Sequence, residues 1–84
     1  MITVKLFAVL KDRAGTGEFE IPGRTESVEE LLHQVSRQYP VLSNILSSCS
    51  VLVSINREFV QKSALVQDGD EVALMPPFSG GDTP

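Results

Sequence analysis

Only one stretch of this 84-residue sequence spaces its apolar residues for a long helix. Val28, Leu31, Leu32, Val35 and Tyr39 share one face, while Glu29, Glu30, Gln34, Arg37 and Gln38 point away from it. Ser27-Val28-Glu29-Glu30 has the form of a capping box, in which serine oxygen and glutamate carboxylate satisfy amide donors that a first helical turn leaves unpaired. Pro40 closes the segment, because proline has no amide hydrogen and its ring crowds the preceding turn. Val41, Leu42, Ile45 and Leu46 predict one more short helical segment before the loop Ser47-Ser48-Cys49-Ser50. A lone amphipathic helix must bury its stripe against something else, and the rest of the chain reads as strands.

Ile2, Val4, Leu6 and Ala8 alternate with Thr3, Lys5, Phe7 and Val9, which predicts a first strand with one aliphatic face. Residues 10–14 read as a loop or one helical turn ending at Gly15-Thr16-Gly17. Glu18-Phe19-Glu20-Ile21 alternates again and stops at Pro22-Gly23, giving a hairpin with the first strand at the N-terminal edge of the sheet. Val51, Val53 and Ile55 predict a central strand that turns at Asn56-Arg57-Glu58 into Phe59-Val60. Gln67-Asp68-Gly69-Asp70 reads as a turn and Glu71 to Met75 as the last strand, which Pro76-Pro77 ends. The order ββαβββ predicts an α+β fold, a sheet covered by the main helix on one face. Residues 1–77 form that domain and residues 78–84 a tail.

Charge narrows the partners. Seven Lys and Arg against eleven Asp and Glu leave a net charge of −4, a field that repels phosphate backbones and anionic membranes, so neither nucleic acid nor membrane is expected. No apolar run approaches the roughly 20 residues of a membrane span. Cys49 has no second cysteine to bridge, which fits a reducing compartment, and a cytoplasmic protein is expected.

Catalytic chemistry is thin in this sequence. His33 stands on the helix with no cysteine or serine beside it for a triad, and one His with one Cys lacks the ligand spacing of a zinc site. Cys49 reads as a small buried hydrophobe, with a persulfide carrier as the alternative. Gly15-Thr16-Gly17 precedes a strand and lacks the Lys-Ser or Lys-Thr of a phosphate loop, so it reads as a turn. Asp68, Asp70 and Glu71 crowd together without the spacing of a calcium loop and read as a solvated turn. No nucleophile with its base can be assembled, and no bound cofactor or metal is expected.

The tail is the exception. Pro76-Pro77-Phe78-Ser79-Gly80-Gly81 follows the last strand directly, and its two glycines permit close backbone approach inside a narrow channel of another protein. Together with Val4-Lys5-Leu6-Phe7-Ala8 and Asp68-Gly69-Asp70-Glu71-Val72-Ala73, this ending makes the chain resemble the MoaD family along nearly its whole length. Members of that family are small, ubiquitin-like subunits of molybdopterin synthase. The resemblance implies a β-grasp fold, with a mixed sheet whose first and last strands lie parallel at its centre.

It also implies a chemistry. The carboxylate of Gly81 would be adenylated with ATP by an E1-like activating enzyme, converted to a thiocarboxylate, and its sulfur delivered to a pterin precursor, with Gly80 easing passage of the tail. The large synthase subunit would supply the catalytic groups, including a lysine, in a heterotetramer of two heterodimers. Phe7, Phe59, Met75, Pro76, Pro77, Phe78 and Ser79 are the candidates for partner contact; core positions are the alternative for Phe7, Phe59 and Met75. One departure stands out: Asp82-Thr83-Pro84 follow Gly81, so its carboxyl carbon is held in a peptide bond. Proteolytic maturation after Gly81 would free it; otherwise the chain is a binding module that docks without carrying. Sulfur transfer for thiazole formation or tRNA thiolation is the nearest alternative pathway.

Overall fold

Burial along the first strand follows its alternation: Ile2, Val4 and Leu6 are buried while Thr3 and Lys5 are half-buried on the opposite face. The computed structural model describes residues 1–47 and 51–76. Its elements in order are β1 (Ile2–Leu6), α1 (Val9–Ala14), β2 (Glu18–Ile21), β3 (Glu26–Ser27), α2 (Val28–Gln38), a 3₁₀ turn (Pro40–Leu42), α3 (Ser43–Leu46), β4 (Leu52–Ile55), β5 (Glu58–Val60), β6 (Leu65–Val66) and β7 (Glu71–Met75).

Five strands form a mixed sheet in the order β2-β1-β7-β4-β5. β1 runs antiparallel to β2 and parallel to β7, with Leu6 beside Leu74, and β7 runs antiparallel to β4. First and last strands therefore lie side by side within the sheet. The edge expected for β1 belongs to β2 instead, because β7 takes the other side of β1 as a parallel partner. Alternation alone reads the same for an edge and for an interior strand with one face bare. β1 also stops at Leu6: Ala8 is exposed and outside the strand, and residues 9–14 form a full short helix closed by Gly15 in the left-handed region at φ 78°.

α2 covers one face of the sheet through Val28, Leu31, Leu32 and Val35, which join Ile2, Val4, Leu6, Val53, Val72 and Leu74 in one buried cluster. Its capping box is complete: the Glu30 amide donates to Ser27 Oγ at 3.2 Å, and the Ser27 amide donates to Glu30 Oε1 at 3.0 Å. The next two amides of the first turn are also satisfied, Val28 donating to the Ala64 carbonyl at 2.9 Å and Glu29 to the Lys62 carbonyl at 3.1 Å. The segment before β7 thus locks the helix start in place. Tyr39 leaves the helical stripe and caps the helix at φ −128°, as the residue before a proline must avoid the helical region. Its ring meets Phe19 of β2 with centroids 4.8 Å apart. β3 and β6 pair only with each other, Glu26 opposite Val66 and Ser27 opposite Leu65. Among the described residues no helix is long and apolar enough to cross a membrane.

The loops below the sheet are tied at Asp68. Its carboxylate pairs with the Met1 ammonium and packs so closely on Gly23 that a Cβ there would sit 2.0 Å from Asp68 Oδ1. The hydrogen bond from the ammonium, then its charge, hold the Asp68 carboxyl below the ordinary carboxylate range against a small opposing desolvation, with the Gly69 amide adding to the shift. A lowered folded-state value makes this pair stabilising above the unfolded pKa of about 3.9 and progressively lost below it.

Two outcomes follow from this scaffold. Ser27→Ala, followed by urea unfolding, is expected to cost about 1 kcal/mol through loss of the cap; an unchanged midpoint would mean that the 62–64 carbonyls alone satisfy the helix start. Asp68→Asn is expected to flatten the fall in stability as pH drops below about 4, leaving the curve near neutrality with the same slope. An acid limb as steep as that of the parent would assign the acid sensitivity to other carboxylates.

Candidate docking face and the end of the last strand

Because α2 lies on one side of the sheet, the other side is uncovered among the described residues. Strand pairing arranges that face in rows. Glu18, Lys5, Ala73, Ser54 and Phe59 lie across the five strands in one row, and Met75 and Leu52 lie side by side in the next. Phe7 follows β1 directly, its amide donating to the Leu74 carbonyl at 3.2 Å, which carries the β1–β7 register on toward Met75. Phe59 is 68% exposed and Phe7 45%. Both therefore face solvent and not the core; Met75 and Pro76 are half-buried.

The face has two halves. Over β7, β4 and β5 it is mainly apolar, built from Met75, Ala73, Leu52 and Phe59 around a buried Ser54; over β2 and β1 it carries Glu18, Glu20 and Lys5, with Glu71 of β7 beside Lys5. Lys5 Nζ lies 3.2 Å from Glu71 Oε2, with both side chains more than a third exposed, a pair that contributes little to stability in water. Apolar area flanked by charge is the make-up of a protein contact surface. Leu52 and Ala73 were not among the sequence candidates. Their signal was present: if Val51, Val53 and Ile55 are the inward set of β4, Leu52 must point outward.

Rigidity comes from the β4–β5 turn. Asn56 and Arg57 both have positive φ, 52° and 73°, the mirror-image two-residue turn that matches strand twist. Asn56 reaches back to β7: its amide donates to the Glu71 carbonyl at 2.8 Å, its side chain accepts from the Glu71 amide at 3.0 Å, and its Nδ2 donates to Asp70 Oδ1 at 3.1 Å. Phe59 is thereby held on the same platform as the strand that leads out to Pro76.

The remaining candidates sit apart from this face. His33 is exposed on α2, lining an open cleft of about 530 Å³ with Arg24, Glu26, Glu30, Gln34 and Arg37. Glu30 closes the capping box, and Glu26 Oε1 accepts from Gln34 Nε2 at 3.2 Å and lies 4.0 Å from Arg24 Nε, while the buried Glu26 Oε2 has no hydrogen-bond partner among the described residues. Gly15 is a helix cap and Asp70 a turn acceptor, its Oδ2 taking the Gln67 amide at 2.8 Å. Among the described residues no group of three or more His, Cys, Asp and Glu is arranged to hold a metal. Cys49, Pro77, Phe78, Ser79, Gly80 and Gly81 lie outside the described residues. What the described surface offers is binding area next to the end of a central strand.

The sequence profile of the ThiS family matches residues 4–81. A molybdopterin synthase sulfur carrier subunit of Chlamydomonas reinhardtii is 38% identical across 95% of this chain and 98% of its own length. The solution structure of small archaeal modifier protein 1 from Methanosarcina acetivorans superposes with a TM-score of 0.80 at 30% identity, covering 95% of each chain. A chain from the complex of subunits 1 and 2 of the molybdopterin-converting factor of Helicobacter pylori shares the fold at 20% identity, with a TM-score of 0.63 over 95% of this chain and 97% of that one. The fold is the ubiquitin-like β-grasp of these proteins.

The exposure of Phe59 has a direct test. Phe59→Ser is expected to change unfolding free energy by no more than about 0.5 kcal/mol, as for surface sites generally. Leu74→Ala, on the inward face of β7, is expected to cost about 2–5 kcal/mol. Similar losses for the two would place Phe59 in the core.

Proposed function

The chain belongs to the ThiS family, and from that membership we propose that it is a sulfur carrier acting as the small subunit of molybdopterin synthase. The observation that carries this reading is the junction of an uncovered apolar face with the central strand β7, from which the sequence runs within six residues from Met75 to Gly81. A carrier needs both a handle that a partner can grip and a short reach to its reactive end.

The chemistry resides at one carbon. In the free acid, a Gly81 carboxylate oxygen attacks the α-phosphorus of ATP, pyrophosphate leaves, and an acyl adenylate forms. A sulfur nucleophile at the sulfide level then attacks the acyl carbon, AMP departs, and a thiocarboxylate remains. Its sulfur passes to a pterin precursor and water restores the carboxylate. Every catalytic group for these steps belongs to partners: an E1-like adenylating enzyme that uses the ATP, and the large synthase subunit, the latter in a heterotetramer. The carrier itself binds no cofactor and has no catalytic site. A partner subunit is in keeping with the name of the Chlamydomonas relative and with the two-subunit Helicobacter complex. A cytoplasmic setting suits a substrate cycle that depends on ATP.

Phe7, Phe59 and Met75, with Leu52 and Ala73, are the proposed grip, and Pro76, Pro77, Phe78, Ser79 and Gly80 the proposed threaded segment. Ordering about four non-proline tail residues costs on the order of 4–8 kcal/mol, which burial of roughly 160–320 Å² of apolar surface on the grip would offset. The peptide bond between Gly81 and Asp82 must first be hydrolysed, so the proposal includes proteolytic removal of residues 82–84. The same three residues favour a second reading, in which the domain docks on these partners without carrying sulfur.

Intact mass spectrometry of the protein isolated from its native cell separates the two. The carrier is expected to end at Gly81, with a fraction in which one oxygen has been exchanged for sulfur. Uniformly full-length, unmodified chains would contradict the carrier role and leave the docking module.

A further inference from the structure

β1 ends in an abrupt reversal. Leu6 and Leu10 are both buried, so the three residues between them must turn the chain back toward the core. The Leu10 amide donates to the Phe7 carbonyl at 3.1 Å, which closes a four-residue turn, and the Asp12 amide donates to the Ala8 carbonyl at 3.1 Å, which starts α1. Ala8 holds φ 53° and ψ −129°, the first central position of a type II′ turn, where glycine is usual because a Cβ crowds the backbone. Its side chain is an exposed methyl, with no polar group to offset the strained backbone. Strain of this kind persists where the surroundings hold it in place, and it gathers at functional sites.

The turn acts on the residue before it. Phe7 has both backbone groups pinned, its amide on Leu74 of β7 and its carbonyl in the turn, while its ring stands outward. Were Ala8 to relax to negative φ, the carbonyl of Phe7 would leave Leu10 and the ring would lose its fixed direction. We propose that Ala8 is a positioning residue, whose positive-φ turn presents Phe7 to the partner beside the end of β7. This inference rests on the docking reading above.

The test is a double-mutant cycle, measured by titration calorimetry between the full chain and the cognate large subunit of molybdopterin synthase. Phe7→Ala is expected to weaken binding about tenfold, as for an aromatic contact residue. Ala8→Val, whose β-branched side chain is poorly tolerated at positive φ, is expected to cost a similar factor, and Ala8→Gly, which suits the turn, less than about twofold. In the Phe7→Ala background, Ala8→Val is expected to add less than about twofold. Should Ala8→Val lose cooperative unfolding, Ala8→Leu takes its place with the same expected pattern. Unchanged binding by the Ala8 variant, or an equal loss with and without the Phe7 ring, would overturn the positioning role while leaving the docking face intact. Unchanged binding by Phe7→Ala would overturn Phe7 as a docking residue, and the positioning role with it.

Discussion

The parallel pairing of β1 with β7 governs the rest of this molecule. Parallel neighbours cannot be joined by a tight turn, so the chain between them has to cross the sheet. Here it crosses on one side only, carrying α2 over the inward face and leaving the outward face bare. The same pairing sets the end of β7 next to the end of β1, so that Met75 and Phe7 become neighbours although 68 positions separate them in sequence. Buried core and exposed face are two consequences of one topology.

Much of the fold was legible where the signal is periodic. The capping box at Ser27 and Glu30, the apolar stripe of α2 and the strand Glu71–Met75 stand in the structure where alternation and spacing put them. What escaped the sequence lacks a period or depends on a distant partner. β3 and β6 are two residues each, too short to alternate, and arise because the segment before β7 satisfies the amides at the start of α2. Alternation alone put β1 at an edge, because its second neighbour lies at the far end of the chain; only the family resemblance placed it beside the last strand. Tyr39 fits the helical spacing, yet Pro40 forces it off the helix and onto Phe19.

The candidate grip was legible by residue but not by direction. Phe7, Phe59 and Met75 could be named from the sequence, whereas choosing between core and surface required knowing which face α2 covers. Once that side is fixed, alternation assigns the others, including Leu52 and Ala73. The turn at Asn56-Arg57 was legible as a turn but its positive φ values were not, and the strained turn at Ala8 was missed altogether, since neither carries the glycine that usually announces positive φ. They bound the outward face from opposite ends, and both fix backbone beside residues proposed to meet a partner.

The central claim is that this domain serves as the handle for an activatable carboxylate at Gly81. ATP–pyrophosphate exchange, catalysed by the cognate adenylating enzyme, addresses it directly with two proteins, the chain ending at Gly81 and the chain ending at Pro84. Exchange is expected for the first and background only for the second. Equal background for both, while the enzyme remains active on another carrier, would contradict the account.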